Sequence, residues 1–182
     1  LTFDGAGSTL RFEGRMLPMS IVGCTDVTVK NLHIDFATPH ISQVTIVSND
    51  DSGITFRPSS EVNWEIDDKK RFTAHGKDWT LHYYTGIAFD GNTYHIVPQT
   101  SDLSINLSDC SRQGDLVKAP NWKDSRLPVG TRLALRSYYR PHPAVFMEAD
   151  IRTLLRNVDV HYAEGMGLVA QMCTDIHLDG FN

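Results

Sequence analysis

RPHPAVFMEADIRTLLRNVDVHYAEGMGLVAQMCTDIHLDGFN, residues 140–182, carries one short pattern twice, as TLLRN at Thr153–Asn157 and as IHLDG at Ile176–Gly180. The pattern returns at the other end of the chain, as LTFDG at Leu1–Gly5 and VTVKN at Val27–Asn31. Each copy sets two apolar or β-branched residues two positions apart, so both face one side of a strand, and closes on Asn or Gly, which tolerate a left-handed backbone. Asn31 follows Gly5 by 26 residues and Gly180 follows Asn157 by 23, periods that suit one turn of a repeat architecture built from short strands. Asn157 follows Asn31 by 126 residues, yet the register continues across the gap. NLHIDF at 31–36 aligns with NVDVHY at 157–162, apolar on apolar and polar on polar, and Met19–Cys24 aligns with Val145–Asp150 and Leu168–Cys173.

These spacings predict an all-β chain. Right-handed parallel β-helix coils occupy 1–36 and 144–182, interrupted by an inserted antiparallel β-barrel or sandwich domain at 37–143. The insert reads as short alternating strands, VTIV at 44–47, GITFR at 53–57, VNWEI at 62–66 and WTLHYY at 79–84. Further strands are expected at 103–107 and 131–139, with a hairpin joining 87–89 to 94–97 through Asp90–Gly91–Asn92. In the first coil, Gly5, Gly7 and Ser8 read as a turn before a short strand at 10–12. The insert holds Trp64, Trp79 and Trp122, each read either as core or as a surface on which a sugar ring stacks. Cys24, Cys110 and Cys173 lack metal-ligand spacing and read as buried free thiols.

Net charge of −5 without a basic cluster argues against nucleic acid as the partner. No apolar run is long enough for a membrane span. The strand pattern that begins at Leu1 leaves no room for a signal peptide and suggests a piece of something longer. Homo-oligomerisation is left open.

The register also places chemistry. Where the insert leaves and returns, Pro39–His40 and Arg140–Pro141–His142–Pro143 are expected beside Glu164, which gathers Arg140, His40, His142 and Glu164 at one edge. Next to it, His33, Asp159 and Asn182 form an outward polar column, with Asp35 beside His161. Each group has a plain reading as well: a solvated ladder pair for Asp35–His161, a stiffened junction for the prolines, and a bridge between the two parts for Arg140. Outward polar columns of this kind suit a carbohydrate.

The segments RPHPAVFMEAD and NVDVHYAEGMGLVAQMCTDIHLDGF, with VTVKNLHIDF ahead of a β-rich insert closing on YYRPHPA, resemble the α-1,3-galactosidases of glycoside hydrolase family 110. The resemblance implies a bacterial, exo-acting enzyme on a parallel β-helix with β-barrel insertions. It would remove terminal α-linked galactose, as from blood group B glycans, with inversion, outside the cytoplasm in the periplasm or at the cell surface. Inversion needs one carboxylic acid and one carboxylate about 6.5–9.5 Å apart. The family's catalytic aspartates are expected in stretches that follow HYAEGMGLVAQ and do not occur here. Arg140, His142, His161 and Glu164 are therefore read as substrate-binding, Asp35, Glu148 and Asp159 as further orienting carboxylates, and no metal or other cofactor is implied. Two other readings remain: a polysaccharide lyase on the same kind of fold, and a non-catalytic, tailspike-like carbohydrate-binding module.

Overall fold

A computed structural model describes residues 1–182 and contains strands and no helix. It follows that no helix is long and apolar enough to cross a membrane. In chain order the strands are β1 (Thr2–Phe12), β2 (Met19–Val22), β3 (Thr25–Phe36), β4 (Ser42–Asp50), β5 (Gly53–Pro58), β6 (Trp64–Ile66), β7 (Phe72–Gly76), β8 (Trp79–His82) and β9 (Thr85–Phe89). They continue as β10 (Leu103–Ser104), β11 (Ser111–Gln113), β12 (Leu116–Ala119), β13 (Arg132–Arg136), β14 (Val145–Glu148), β15 (Ile151–Val160), β16 (Leu168–Gln171) and β17 (Thr174–Phe181). The chain divides into two compact units, one formed by Leu1–Pro39 with Arg140–Asn182 and the other by His40–Tyr139.

The first unit holds two parallel sheets, ordered β1-β3-β15-β17 and β2-β14-β16. Val27 pairs with Thr153, Leu32 with Val158, and Met19 with Val145, so strands 126 residues apart in sequence lie side by side. The repeated Asn explains how one strand serves the core along its whole length. In β3 the buried residues are Val27 and Val29 before Asn31, then Leu32, Ile34 and Phe36 after it. The alternation slips by one at Asn31, whose φ of 56° is left-handed, and Asn157 (φ 50°) does the same in β15 between Leu155 and Val158. A single left-handed residue bends the strand without ending it, so both halves keep their apolar side chains inward. The two asparagines are linked, Asn157 Nδ2 donating to Asn31 Oδ1 at 3.2 Å and Asn31 Nδ2 to Asp4 Oδ1 at 3.0 Å. Gly5 sits where a Cβ would lie 2.6 Å from the Asn31 carbonyl.

The expected turn at Gly5–Ser8 is instead a bulge inside the continuous strand β1, between Asp4 and Ser8. It takes up two extra residues, so Thr2 pairs with Thr28 while Thr9 pairs with His33. Cys24 and Cys173 are half-buried rather than fully buried, and Cys110 alone fits the buried reading. Burial pushes the Cys110 thiol up to about 11. The buried group between Cys24 and Cys173 is Asp150, whose Oδ1 accepts from the Cys24 amide at 2.8 Å.

The second unit packs a seven-stranded antiparallel sheet, β10-β9-β13-β4-β5-β12-β11, and a three-stranded one, β6-β7-β8, around one core. Phe56 anchors that core, meeting Phe72 and Trp122 edge-on at 5.3 and 5.9 Å between ring centroids. The sequence pattern missed β7, β11 and β12, because FTAHG, SRQ and LVKA are too short or too mixed to show a period. The expected hairpin at 87–97 forms only the single bridge Phe89–Ile96. The Asp90 carboxylate accepts from the amides of Asn92 and Thr93 and so organises a turn there. Trp79 and Trp122 are buried, which removes them as sugar-stacking surfaces. Trp64 is half-buried, with the Phe72 ring 5.8 Å away and the Arg112 guanidinium 4.5 Å from its own ring.

Candidate functional site

In the first unit, β3 and β15 each point apolar residues inward after the left-handed Asn, and their outward positions carry the polar groups. Parallel register sets His33 beside Asp159, with His33 Nδ1 3.0 Å from Asp159 Oδ2. Ile34 pairs with Val160, so the next outward pair is Asp35 and His161, at 3.4 Å. Asn182 Nδ2 donates to the other Asp159 oxygen at 2.8 Å. The two pairs run in opposite senses, His-to-Asp and then Asp-to-His, and line a cavity of about 400 Å³ together with Thr9, Val160 and Asn182. His161 also stacks on Tyr162, 4.3 Å between centroids.

The His33 and Asp159 side chains are 46% and 42% exposed, and ion pairs in that setting add on the order of 0–1 kcal/mol of stability. Folding therefore gains little from this ladder. Its regularity presents alternating donors and acceptors at fixed spacing to whatever lies on the face.

A second group forms just beyond β15. Glu164 is 3% exposed and accepts from Arg15 Nε at 2.5 Å through Oε1 and from His142 Nδ1 at 2.6 Å through Oε2. A buried carboxylate is tolerated because both its oxygens are charge-paired or hydrogen-bonded. With Nδ1 donating, the half-exposed His142 ring keeps Nε2 for another partner. Backbone closeness holds the corner: the Gly165 amide donates to the His142 carbonyl at 3.0 Å, and a Cβ on Gly165 would stand 3.1 Å from the carbonyls of Arg140 and His142.

Of the residues expected from sequence, His142 and Glu164 come into direct contact, and His161 joins Asp35 three positions before Glu164. Arg140 is half-buried and brings its carbonyl against Gly165. His40 is buried in the second unit, its ring 4.8 Å from Trp79. Glu148 accepts from Gln171 Nε2 at 2.6 Å, in the other parallel sheet. Sequence reasoning missed Arg15 and Thr9. Arg15 lies in the loop between β1 and β2, outside any repeated copy. Thr9 was hidden because the 26-residue spacing of Gly5 and Asn31 shortens to 24 beyond the bulge.

Residues 42–133, half of the chain, match the protein family described as GLAA-B beta-barrel domain I. The chain belongs to this family. The match falls on the ten-stranded second unit. Along its whole length the chain is also 48% identical to an alpha-1,3-galactosidase B of Parabacteroides distasonis and 46% identical to one of Bacteroides fragilis. It is 25% identical to an alpha-1,3-galactosidase A of Bacteroides fragilis over 98% of its length. The chain spans 30–31% of the length of these relatives. The resemblance drawn from RPHPAVFMEAD and HYAEGMGLVAQ is borne out.

Proposed function

We infer that this chain is the substrate-orienting part of an α-1,3-galactosidase. In this reading it grips a terminal galactose through the polar face of β3 and β15 and the Glu164 corner. The paired side chains carry the inference. His142 and His161 offer ring nitrogens to sugar hydroxyls, Arg140 supplies a further donor, and Glu164 acts through Arg15 and His142 by fixing their positions. Asp35, Asp159 and Glu164 are each occupied by a histidine or arginine, which suits carboxylates that orient and not one that must give up a proton to a leaving oxygen. The general acid and base are therefore assigned to residues outside these 182.

The finer architecture follows the same line. The parallel sheets of the first unit are read as turns of a right-handed parallel β-helix, with the antiparallel unit as an insertion bounded near residues 37 and 143. Removal of galactose from the chain end with inversion at the anomeric carbon, and a periplasmic or cell-surface location, complete the reading. The names of the relatives support the substrate class.

The test is galactose release from an α-1,3-galactosyl disaccharide, comparing this 182-residue chain with the longer protein that contains it. Release by the longer protein and none by the shorter is the expected result. Release by the short chain would place acid and base among Asp35, Asp159 and Glu164 and overturn the division of labour proposed here.

A further inference from the structure

On the outer surface of the antiparallel unit, away from its core, three neighbouring strands build a pocket that the galactose-binding reading does not use. Val44, Leu133 and Ala88 turn inward and are buried. The positions beside them turn outward in two rows, with Thr45, Arg132 and Phe89 adjacent in one and Gln43, Ala134 and Ile87 in the other. Ser59, whose amide donates to the Gln43 carbonyl at 2.9 Å, and Tyr94 help close a cavity of about 350 Å³. That size lies within the range of small-molecule pockets.

Two features mark the pocket as more than a surface dent. Tyr94 is 59% exposed and left-handed, at φ 59°, a costly conformation for a bulky residue. The turn organised by Asp90 enforces it, the Tyr94 amide donating to the Asp90 carbonyl at 2.9 Å. Arg132 then lies over the Tyr94 ring, 4.7 Å from its centroid, and forms no ion pair. The lining holds this one cation and no acid. An arginine stacked on an aromatic keeps the edge of its planar fork for a carboxylate or sulfate, while hydroxyl and amide side chains around it suit a sugar's hydroxyls.

We propose that this pocket binds a single saccharide unit carrying a carboxylate or sulfate, with Arg132 as the anchor and Tyr94 and Phe89 as the walls. It does not depend on hydrolysis elsewhere in the protein, so failure of galactose release leaves it standing. The experiment is a titration of the ¹⁵N-labelled 182-residue chain, followed by amide chemical shifts, with galacturonic acid, methyl galactoside and sodium acetate as separate probes. Galacturonic acid should perturb the amides of Gln43, Thr45, Phe89 and Arg132. Its affinity should fall about tenfold in Arg132→Gln, which loses the bidentate charged contact. Tyr94→Asn, which tolerates the same backbone, should weaken binding without loss of shift dispersion. The proposal is overturned if galacturonic acid leaves these amides unmoved, or if acetate alone reproduces the shifts. It is also overturned if methyl galactoside binds as tightly and Arg132→Gln makes no difference.

Discussion

At the scale of single residues, Glu164 shows how a buried charge can be made to serve a site. The carboxylate tolerates burial because Arg15 and His142 meet its two oxygens, so removing either partner leaves charge in a dry place. Arg15→Met should cost about 3 kcal/mol in urea unfolding, and adding Glu164→Gln should recover much of that loss. A double variant as unstable as the single one would mean that Arg15 acts through packing alone. The sequence pointed to Glu164 because it follows the end of a repeated strand and to His142 because it lies where the insert returns, but it held no sign of Arg15. A loop residue outside the repeat has no register to give it a neighbour.

The telling element is the strand with a left-handed asparagine inside it. The short motif ending in Asn or Gly was legible in four places, and the offset of 126 residues between β3 and β15 follows directly from it. What could not be read was that the strand continues through the Asn with its inward face shifted by one residue, because periodicity alone marks such a slip as an end. Asn157→Ala puts a Cβ-bearing residue with no polar side chain at φ 50° and removes the hydrogen bond to Asn31. It should lower stability by about 1–2 kcal/mol, while Asn157→Gly should lose less. Equal losses would show that the backbone conformation carries no cost. The bulge in β1 was illegible for a related reason: its two extra residues look like a turn, GAGS, until a neighbouring strand fixes where pairing resumes.

For the whole molecule, carboxylates at several surface positions link stability to acid. Hydrogen bonds from Asn31 and the Ala6 amide, with Lys30 nearby, hold Asp4 down to about 2. Asp26 is lowered by Arg152, Asp115 by Arg57 and Asp90 by the amides of Thr93 and Asn92. Each folded pKa lies below that of the unfolded chain, near 3.9. The stabilisation is therefore complete above about pH 4 and is lost as pH falls through the folded values. Thermal unfolding followed by circular dichroism should show the melting temperature dropping between about pH 4 and 2, with a shallower drop in Asp4→Asn. An unchanged slope in that variant would remove Asp4 from the account. Composition gave no view of this, since it counts carboxylates without their partners. Spacing and alternation pointed to an all-β chain but left three short strands of the antiparallel unit unseen.

The most direct test of the central claim is steady-state hydrolysis of an α-1,3-galactosyl disaccharide by the longer protein carrying His142→Ala or His161→Ala. If these side chains hold the galactose, each variant should lose about tenfold or more in kcat/KM, as expected when a hydrogen bond to the substrate is removed. The folded content, read by circular dichroism, should stay unchanged. Wild-type kcat/KM in both variants would contradict the assignment of this face and corner to substrate.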